Sequence, residues 1–574
     1  MILPLLAALL LPEPALPAGN TYYVSTTGDD LNPGTLQSPW RTIQHAVDSS
    51  AAGDTVFVRS GTYQEAVIIA TGGFPGSPLR FVAYPGESPV LNGGGTEWAG
   101  FQLSPGVDWI DIEGFTIEDY TGVGIDISGG NSNINLTGLD ISGAEGGMRL
   151  TWGYSGDEPM FGPVDHVTIS ESSLHDNHFA GVDCTPGPCD DITFSSVDIL
   201  DNGVGAQSFG ADGLAVEKGA RLTIDRVRSI NNGGDGIDLN SRDGGPVEGI
   251  VVSRSVAGNN HRNGIKLWAG GRIENSIIYG TGLNPLPLAA FSGVSVELVN
   301  NTVAMNMWDE SFSARDYAMT VGYPEGDTPP TGISLTMVNN IFAFNTGPAV
   351  GSPTGIYLGP GVSLAAENNN IYYSRDDGEI QAEFTSLGSY GRSDITGGAW
   401  AADTGKGVAD MVTDPLFTDA ANTDFHLLQG SPAVNAGSAT GAPAVDIEGR
   451  QRPRGAGFDI GAHEGGGASQ PTLSWTLSGA YWGSYADYRT RIVSVDYGLG
   501  NSGPGNALAL RVTGAECTNG VALVTPLPLV LGDLSTNGSL RPTIRYRIPH
   551  GIVTFFTVTR LTGTDSDGEE FTWP

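Results

Sequence analysis

The chain has 574 residues, 84 of them glycine, and only 16% are charged. That length exceeds one ordinary domain, and the glycine-rich, charge-poor composition favours many short strands joined by tight turns over a helical protein. With 63 acidic against 27 basic residues and a formal charge of −36, the surface argues against DNA or RNA as a partner, because such binding needs a positive face to displace counterions. A polyanionic substrate would have to be met through a cation.

In chain order, the opening MILPLLAALLLPEPALPAG (1–19) has an apolar core of export-signal length, and its prolines and short span do not suit a membrane-crossing helix. The chain is therefore expected to be secreted or displayed at the cell surface, without a membrane span, and to be monomeric. Residues 22–63 read as a strand, a short amphipathic helix around 42–51 and a second strand; a helix there would cover an otherwise open sheet edge. From residue 107 onward short alternating apolar runs dominate. One unit recurs as GIDI at Gly124, GMRL at Gly147, GVDC at Gly181, GLAV at Gly213, GIDL at Gly236 and GIKL at Gly264, at steps of 23 to 34 residues. A second strand ending in Asn precedes each later copy, at Asn177, Asn202, Asn232 and Asn260. Such a period suits a parallel β-helix, with Asn at the corners tolerating left-handed backbone and its amides stacking along the solenoid. Cys184 and Cys189 could close a small loop or stand as isolated thiols, with Cys517 left over. After GGGASQ (465–470) the alternation and turn signals of 471–574 suggest an immunoglobulin-like β-sandwich, an accessory or spacer domain. Its aromatics Trp475, Tyr481, Trp482, Tyr485 and Tyr488 could stack on sugars but are expected mostly in the core. The predicted architecture is all-β: export segment 1–19, parallel β-helix 20–465, sandwich 466–574.

In each G-h-x-h unit the two h residues should point inward and x outward. Stacked up the solenoid, x reads Asp126, Arg149, Asp183, Ala215, Asp238, Lys266. The residue before each glycine makes a second column: Ala180, Asp212, Asp235, Asn263. Asp212, Asp235 and Asp238 should thus share one exposed patch, with Lys266, one of only three lysines, at its edge. Three close carboxylates call for a positive partner: a hard divalent ion such as calcium, or simply Lys266 paired with Asp238.

ADGLAVE, NNGGDGIDLN and NGIKLW, in this order and spacing, resemble the active-site run of the family-nine pectate lyases, which are right-handed parallel β-helix enzymes. The segment from residue 22 resembles the start, and DPLFTDAANTDFHLLQGSPAVNAGSATGAPAVDIEGRQRPRGAGFDIGAHE (414–464) the closing segment, of secreted bacterial β-helix proteins. The family resemblance implies that Asp212, Asp235 and Asp238 bind Ca2+ and that Lys266 is the base in β-elimination of a uronate polysaccharide such as pectate. Where the family's second motif starts with two adjacent aspartates, this chain has Gly234 before Asp235, so one carboxylate is missing unless Asp183, Asn232 or Glu217 replaces it. Arg242, His261, Arg262 and Trp268 are candidates to bind the acidic sugar. A β-helix glycoside hydrolase, an alginate-type lyase and a non-catalytic surface or adhesion protein are the alternatives.

Overall fold

Each coil of the solenoid shown by the computed structural model places three short strands around an apolar interior. The structure describes residues 19–573 apart from 153, 156–157, 160–161, 186, 206–209, 241–247, 307–316, 323–327, 346–354, 374–379, 429, 466–470, 503–505, 536, 553 and 566–569. Nearly all of the expected export segment therefore lies outside the described residues. Among the described residues no helix is long and apolar enough to cross a membrane. The chain divides into two compact units, one formed by Met1–His426, Ala436–Arg452 and Asp459–Glu464, the other by Leu427–Asn435, Pro453–Phe458 and Gly465–Pro574.

The first unit is a right-handed parallel β-helix. A 13-stranded sheet takes one strand from each coil and a 24-stranded sheet takes the others. The sequence alternation explains the packing. In Leu214–Val216, Ile237–Leu239 and Ile265–Leu267 the flanking apolar residues are at most 1% exposed, and each stacks on its counterpart in the next coil. One apolar core runs without a break from Val24 to Trp400. At its start the helix Ile43–Ser49 buries Ile43, Ala46 and Val47, and Thr42 caps it by accepting from the His45 amide. At its far end the antiparallel strand Gly388–Gly391 and the helices Arg392–Thr396 and Ala399–Thr404 follow, with Trp400 fully buried.

The Asn corners form a ladder. Asn177 Nδ2 donates to Asn202 Oδ1 at 2.9 Å, Asn202 to Asn232 at 3.1 Å and Asn232 to Asn260 at 3.0 Å. The ladder residues are not the left-handed ones, contrary to the sequence expectation. Positive φ falls on the residue just before each of them, Asp176, Asp201, Asn231 and Asn259. That bend turns the following amide inward to its neighbours. The repeat's glycine is explained by the same ladder, for a Cβ on Gly236 would stand 2.4 Å from Asn260 Nδ2, so only glycine admits the stacked amide. Cys184 and Cys189 are disulfide-bonded with Cα atoms 6.5 Å apart, and Cys517 is free.

Near the far end two acids are buried together. Glu367 is 3% exposed and accepts from Asn370 Nδ2, Tyr372 Oη and Trp400 Nε1 at 3.0–3.2 Å. Burial first, and the adjacent Asp410 carboxylate second, push the Glu367 pKa well above the usual range. The folded state therefore keeps a proton that the unfolded chain gives up at about pH 4.3. This contribution to stability is complete below that pH and is lost as pH rises toward the folded pKa. Above about pH 4.3 the wild-type unfolding temperature, followed calorimetrically, should fall relative to that of Glu367→Gln, and parallel pH profiles for the two would refute the assignment.

The second unit consists of two antiparallel sheets. One is built on Leu473–Tyr481, Ile492–Asn501 and Thr543–Arg547, the other on Ala507–Cys517, Leu529–Leu534 and Thr557–Thr564. They share a core that includes Leu499, Leu510, Val512, Ile544, Tyr546 and Leu561. Four of its five early aromatics are not in that core. Tyr481, Trp482, Tyr485 and Tyr488 are 40–74% exposed, and only Trp475 packs inward, its ring centroid 4.9 Å from that of Tyr497. The reason is local. Tyr485–Thr490 is a short surface helix with no buried residue, and Trp482, just before it, and Tyr485 pack against Tyr488.

Candidate active site

Parallel pairing sets the site. Asp126 is in register with Arg149, Arg149 with Asp183, Asp183 with Ala215, Ala215 with Asp238 and Asp238 with Lys266. The column expected from the repeats is therefore the column found. The second column is held by the turn: Gly181 N donates to the carbonyl of Asp212, Gly213 N to that of Asp235 and Gly236 N to that of Asn263, at 2.8–3.1 Å.

The first column from Asp183 to Lys266 and the second from Asp212 to Asn263 open on a cavity of about 550 Å³, lined also by Glu217, Asn240, Arg262 and Trp268 among others. Asp212, Asp235 and Asp238 are only 5%, 2% and 7% exposed. The patch expected on an exposed surface is thus enclosed, because Phe179, Gly210, Leu283 and Asn284 from adjoining turns also line the cavity. Among the sugar-binding candidates, Arg262 and Trp268 line it and His261 does not. Arg242 and five of the eleven residues of the insert 152–162 lie outside the described residues.

Lys266 Nζ donates to Asp238 Oδ2 at 2.9 Å, stands 3.9 Å from Asp235 Oδ2 and lies 4.0 Å from the Trp268 ring centroid. Asp235 Oδ1 accepts from the Asn263 amide N and Nδ2 at 3.0 and 2.8 Å, and its own N–H donates to Asp212 Oδ1 at 2.6 Å. Two buried acceptors in this cavity have no hydrogen-bond partner, Asp238 Oδ1 and Asn240 Oδ1. Both call for a positive or donating group from a ligand.

Electrostatics point the same way. Burial, then repulsion from Asp235 and Asp238, raises the Asp212 pKa well above the usual carboxylate range. Burial pushes Asp238 up to about 7 against the opposing charge of Lys266. Burial by itself would lower the Lys266 pKa, but Asp238 and Asp235 outweigh it and hold the ammonium protonated. One lysine does not balance three buried carboxyls.

These residues suit a hard cation in kind, being all oxygen donors with one carboxylate oxygen unpartnered. Their positions are not closed on a single point. Among the described residues, the one trio of His, Cys, Asp or Glu side chains whose donor atoms all lie within 4.8 Å of one another is elsewhere, at His426, Glu448 and His463. To share one ion with Asp212, Asp235 and Asp238 must turn, and Asp238 must release Lys266.

Alternation carried one step further finds residues that the motif reading passed over. Thr185, Glu217, Asn240 and Trp268 each follow the x residue by two, on the same outward face, and all line the cavity. Of these, Thr185 and Asn240 were not anticipated, although period two was signal enough.

The family model of the Pel9A-like right-handed beta helix region matches residues 22–272, which contain all three motifs. The family-nine resemblance read from those motifs is thereby met by the family model. The uncharacterized protein YwoF of Bacillus subtilis strain 168 is 24% identical over 485 residues, 72% of this chain and 92% of that protein. Pectate lyase PEL9 of Emericella nidulans is 40% identical over 73 residues, which is 12% of this chain and 18% of that one. Among solved structures, pectate lyase Pel9A covers 78% of this chain and 96% of its own at 17% identity, with a TM-score of 0.43. An alginate lyase from Paenibacillus covers 60% and 99% at 17% identity, with a TM-score of 0.35.

Proposed function

We propose that this chain is a secreted lyase that cleaves a uronate-containing polysaccharide by β-elimination, with polygalacturonate the first substrate to test. One observation carries the reading: a lysine and three aspartates from successive coils face one cavity in which Asp238 Oδ1, buried and unpartnered, awaits a positive group. The motif match and the similarity to pectate lyase PEL9 support the choice of polymer.

Asp212, Asp235 and Asp238 would hold a calcium ion, with Asn240 Oδ1 as a neutral donor. Bound to the substrate carboxylate, calcium would withdraw charge and make the neighbouring C5 proton more acidic. Lys266 Nζ takes that proton. The C5–H electron pair forms the C4=C5 double bond, the bond from C4 to the leaving oxygen breaks with its electron pair going to that oxygen, and the oxygen takes a proton from water. Lys266 must be neutral beforehand. With Asp238 and Asp235 turned to a cation, Lys266 would lose the anions that hold its proton, and burial, which favours the free amine, would be left. Arg262 and Trp268, on the cavity wall, would meet sugar carboxylate and ring face.

Incubation with polygalacturonate in calcium should release unsaturated uronides, and chelation should suppress the reaction by more than about 100-fold, with calcium restoring it. Saturated reducing ends would instead identify a hydrolase, and no turnover of pectate or alginate would leave the reading without support.

A further inference from the structure

We propose that His426, Glu448 and His463 form a second metal site, selective for a borderline transition ion of the zinc class and independent of the aspartate cavity. The three side chains come from separate stretches of the closing segment, and one donor atom from each lies within 4.8 Å of the others. His426 Nε2 is 3.2 Å from Glu448 Oε1, and His463 Nδ1 is 3.8 Å from Glu448 Oε2. Zinc bonds of about 2.0–2.2 Å in a tetrahedron hold neighbouring donors about 3.3–3.6 Å apart, close to both of these His–Glu distances.

Three features mark a built site rather than a chance meeting. His463 is 7% exposed, yet its Nδ1 is buried with no hydrogen-bond partner. His426 Nδ1 is 2.6 Å from Asp424 Oδ1, which orients the ring and leaves Nε2 for a metal, as carboxylates behind metal-bound imidazoles do. Asp446, fully buried, fixes both other ligands. Its Oδ1 accepts from the Glu448 and Arg450 amides at 2.9 and 2.8 Å, and its Oδ2 accepts from the Glu464 amide at 2.9 Å.

Two imidazoles and one carboxylate suit zinc and disfavour calcium, which takes oxygens. Three protein ligands leave a fourth tetrahedral position. It opens on a cavity of about 500 Å³ lined also by Arg226, Arg228 and Arg254, so the fourth ligand is water or a small anion. The ion would tie His426, Glu448 and His463 together and so hold the closing segment in place.

Full-length protein stripped with chelator, then dialysed with zinc in excess calcium, should retain one zinc per chain by elemental analysis and unfold a few degrees higher than the stripped form. His463→Ala, and His426→Ala at the more exposed ligand, should each weaken zinc by about 100-fold or more, and Asp424→Asn by about 10–100-fold. Far-UV dichroism identifies any variant that fails to fold, and His426→Ala then carries the test. Wild type holding less than a tenth of an equivalent, or a folded His426→Ala binding zinc as tightly as wild type, would overturn the site. Neither outcome depends on lyase activity.

Discussion

Lys266→Ala should lower the rate of unsaturated-uronide release at saturating calcium by about 10²–10⁴-fold, the range expected for loss of a positioned general base. The effect should fall on kcat more than on KM, because Nζ meets the substrate at the proton it removes rather than through the sugar's binding contacts. The metal-free protein responds differently. There Lys266 is the partner of Asp238, and removing it leaves a buried carboxyl with nothing opposite. The variant should therefore be less stable than wild type without calcium and should recover much of that loss when calcium is added, so a folding defect and a catalytic one can be told apart. Wild-type turnover by Lys266→Ala would remove the base from the mechanism and leave the lysine as a counter-ion to Asp238.

The site was legible because a parallel solenoid converts sequence period directly into spatial register. Once the glycines of GLAV, GIDL and GIKL were aligned, the pairing of Ala215 with Asp238 and of Asp238 with Lys266 followed, and the structure has those pairs. Enclosure was not legible, since alternation tells which residues point outward but not that Phe179, Gly210, Leu283 and Asn284 line the cavity beside the aspartates. The same limit hid His426, Glu448 and His463. Their meeting is arranged by the buried carboxylate of Asp446 and by the Ile447 amide donating to the Ala462 carbonyl at 3.1 Å, in a segment without period. In the second unit, alternation correctly indicated strands, yet residues 482–490 form a turn and surface helix, where alternation says nothing about burial.

Gly234 provides the sharper test of how the aspartate site works. If the family pattern of adjacent aspartates were the whole account, Gly234→Asp would restore a missing ligand and tighten calcium. The structure leads to the opposite expectation. A Cβ at 234 would lie 2.3 Å from Asp212 Oδ1 and 2.9 Å from both the carbonyl carbon and oxygen of Ala211. Asp212 could swing aside only by giving up its bond from the Asp235 amide, and Ala211, fully buried, cannot yield without moving its coil. Overpacking of this kind costs about 1–3 kcal/mol. Gly234→Ala, which adds the clash without charge, should thus weaken calcium by about 5–150-fold and lower the unfolding temperature. Gly234→Asp should be worse in the absence of metal, because a fourth carboxyl joins a cavity where two are already pushed up in pKa. Calorimetric titration of both variants decides the matter: tighter calcium in Gly234→Asp than in wild type would mean that Asp212 vacates its place on metal binding. Weaker binding in both would mean that Asp212 occupies the volume of the absent carboxylate, so that the missing ligand is a rearrangement of the site and not a gap in it.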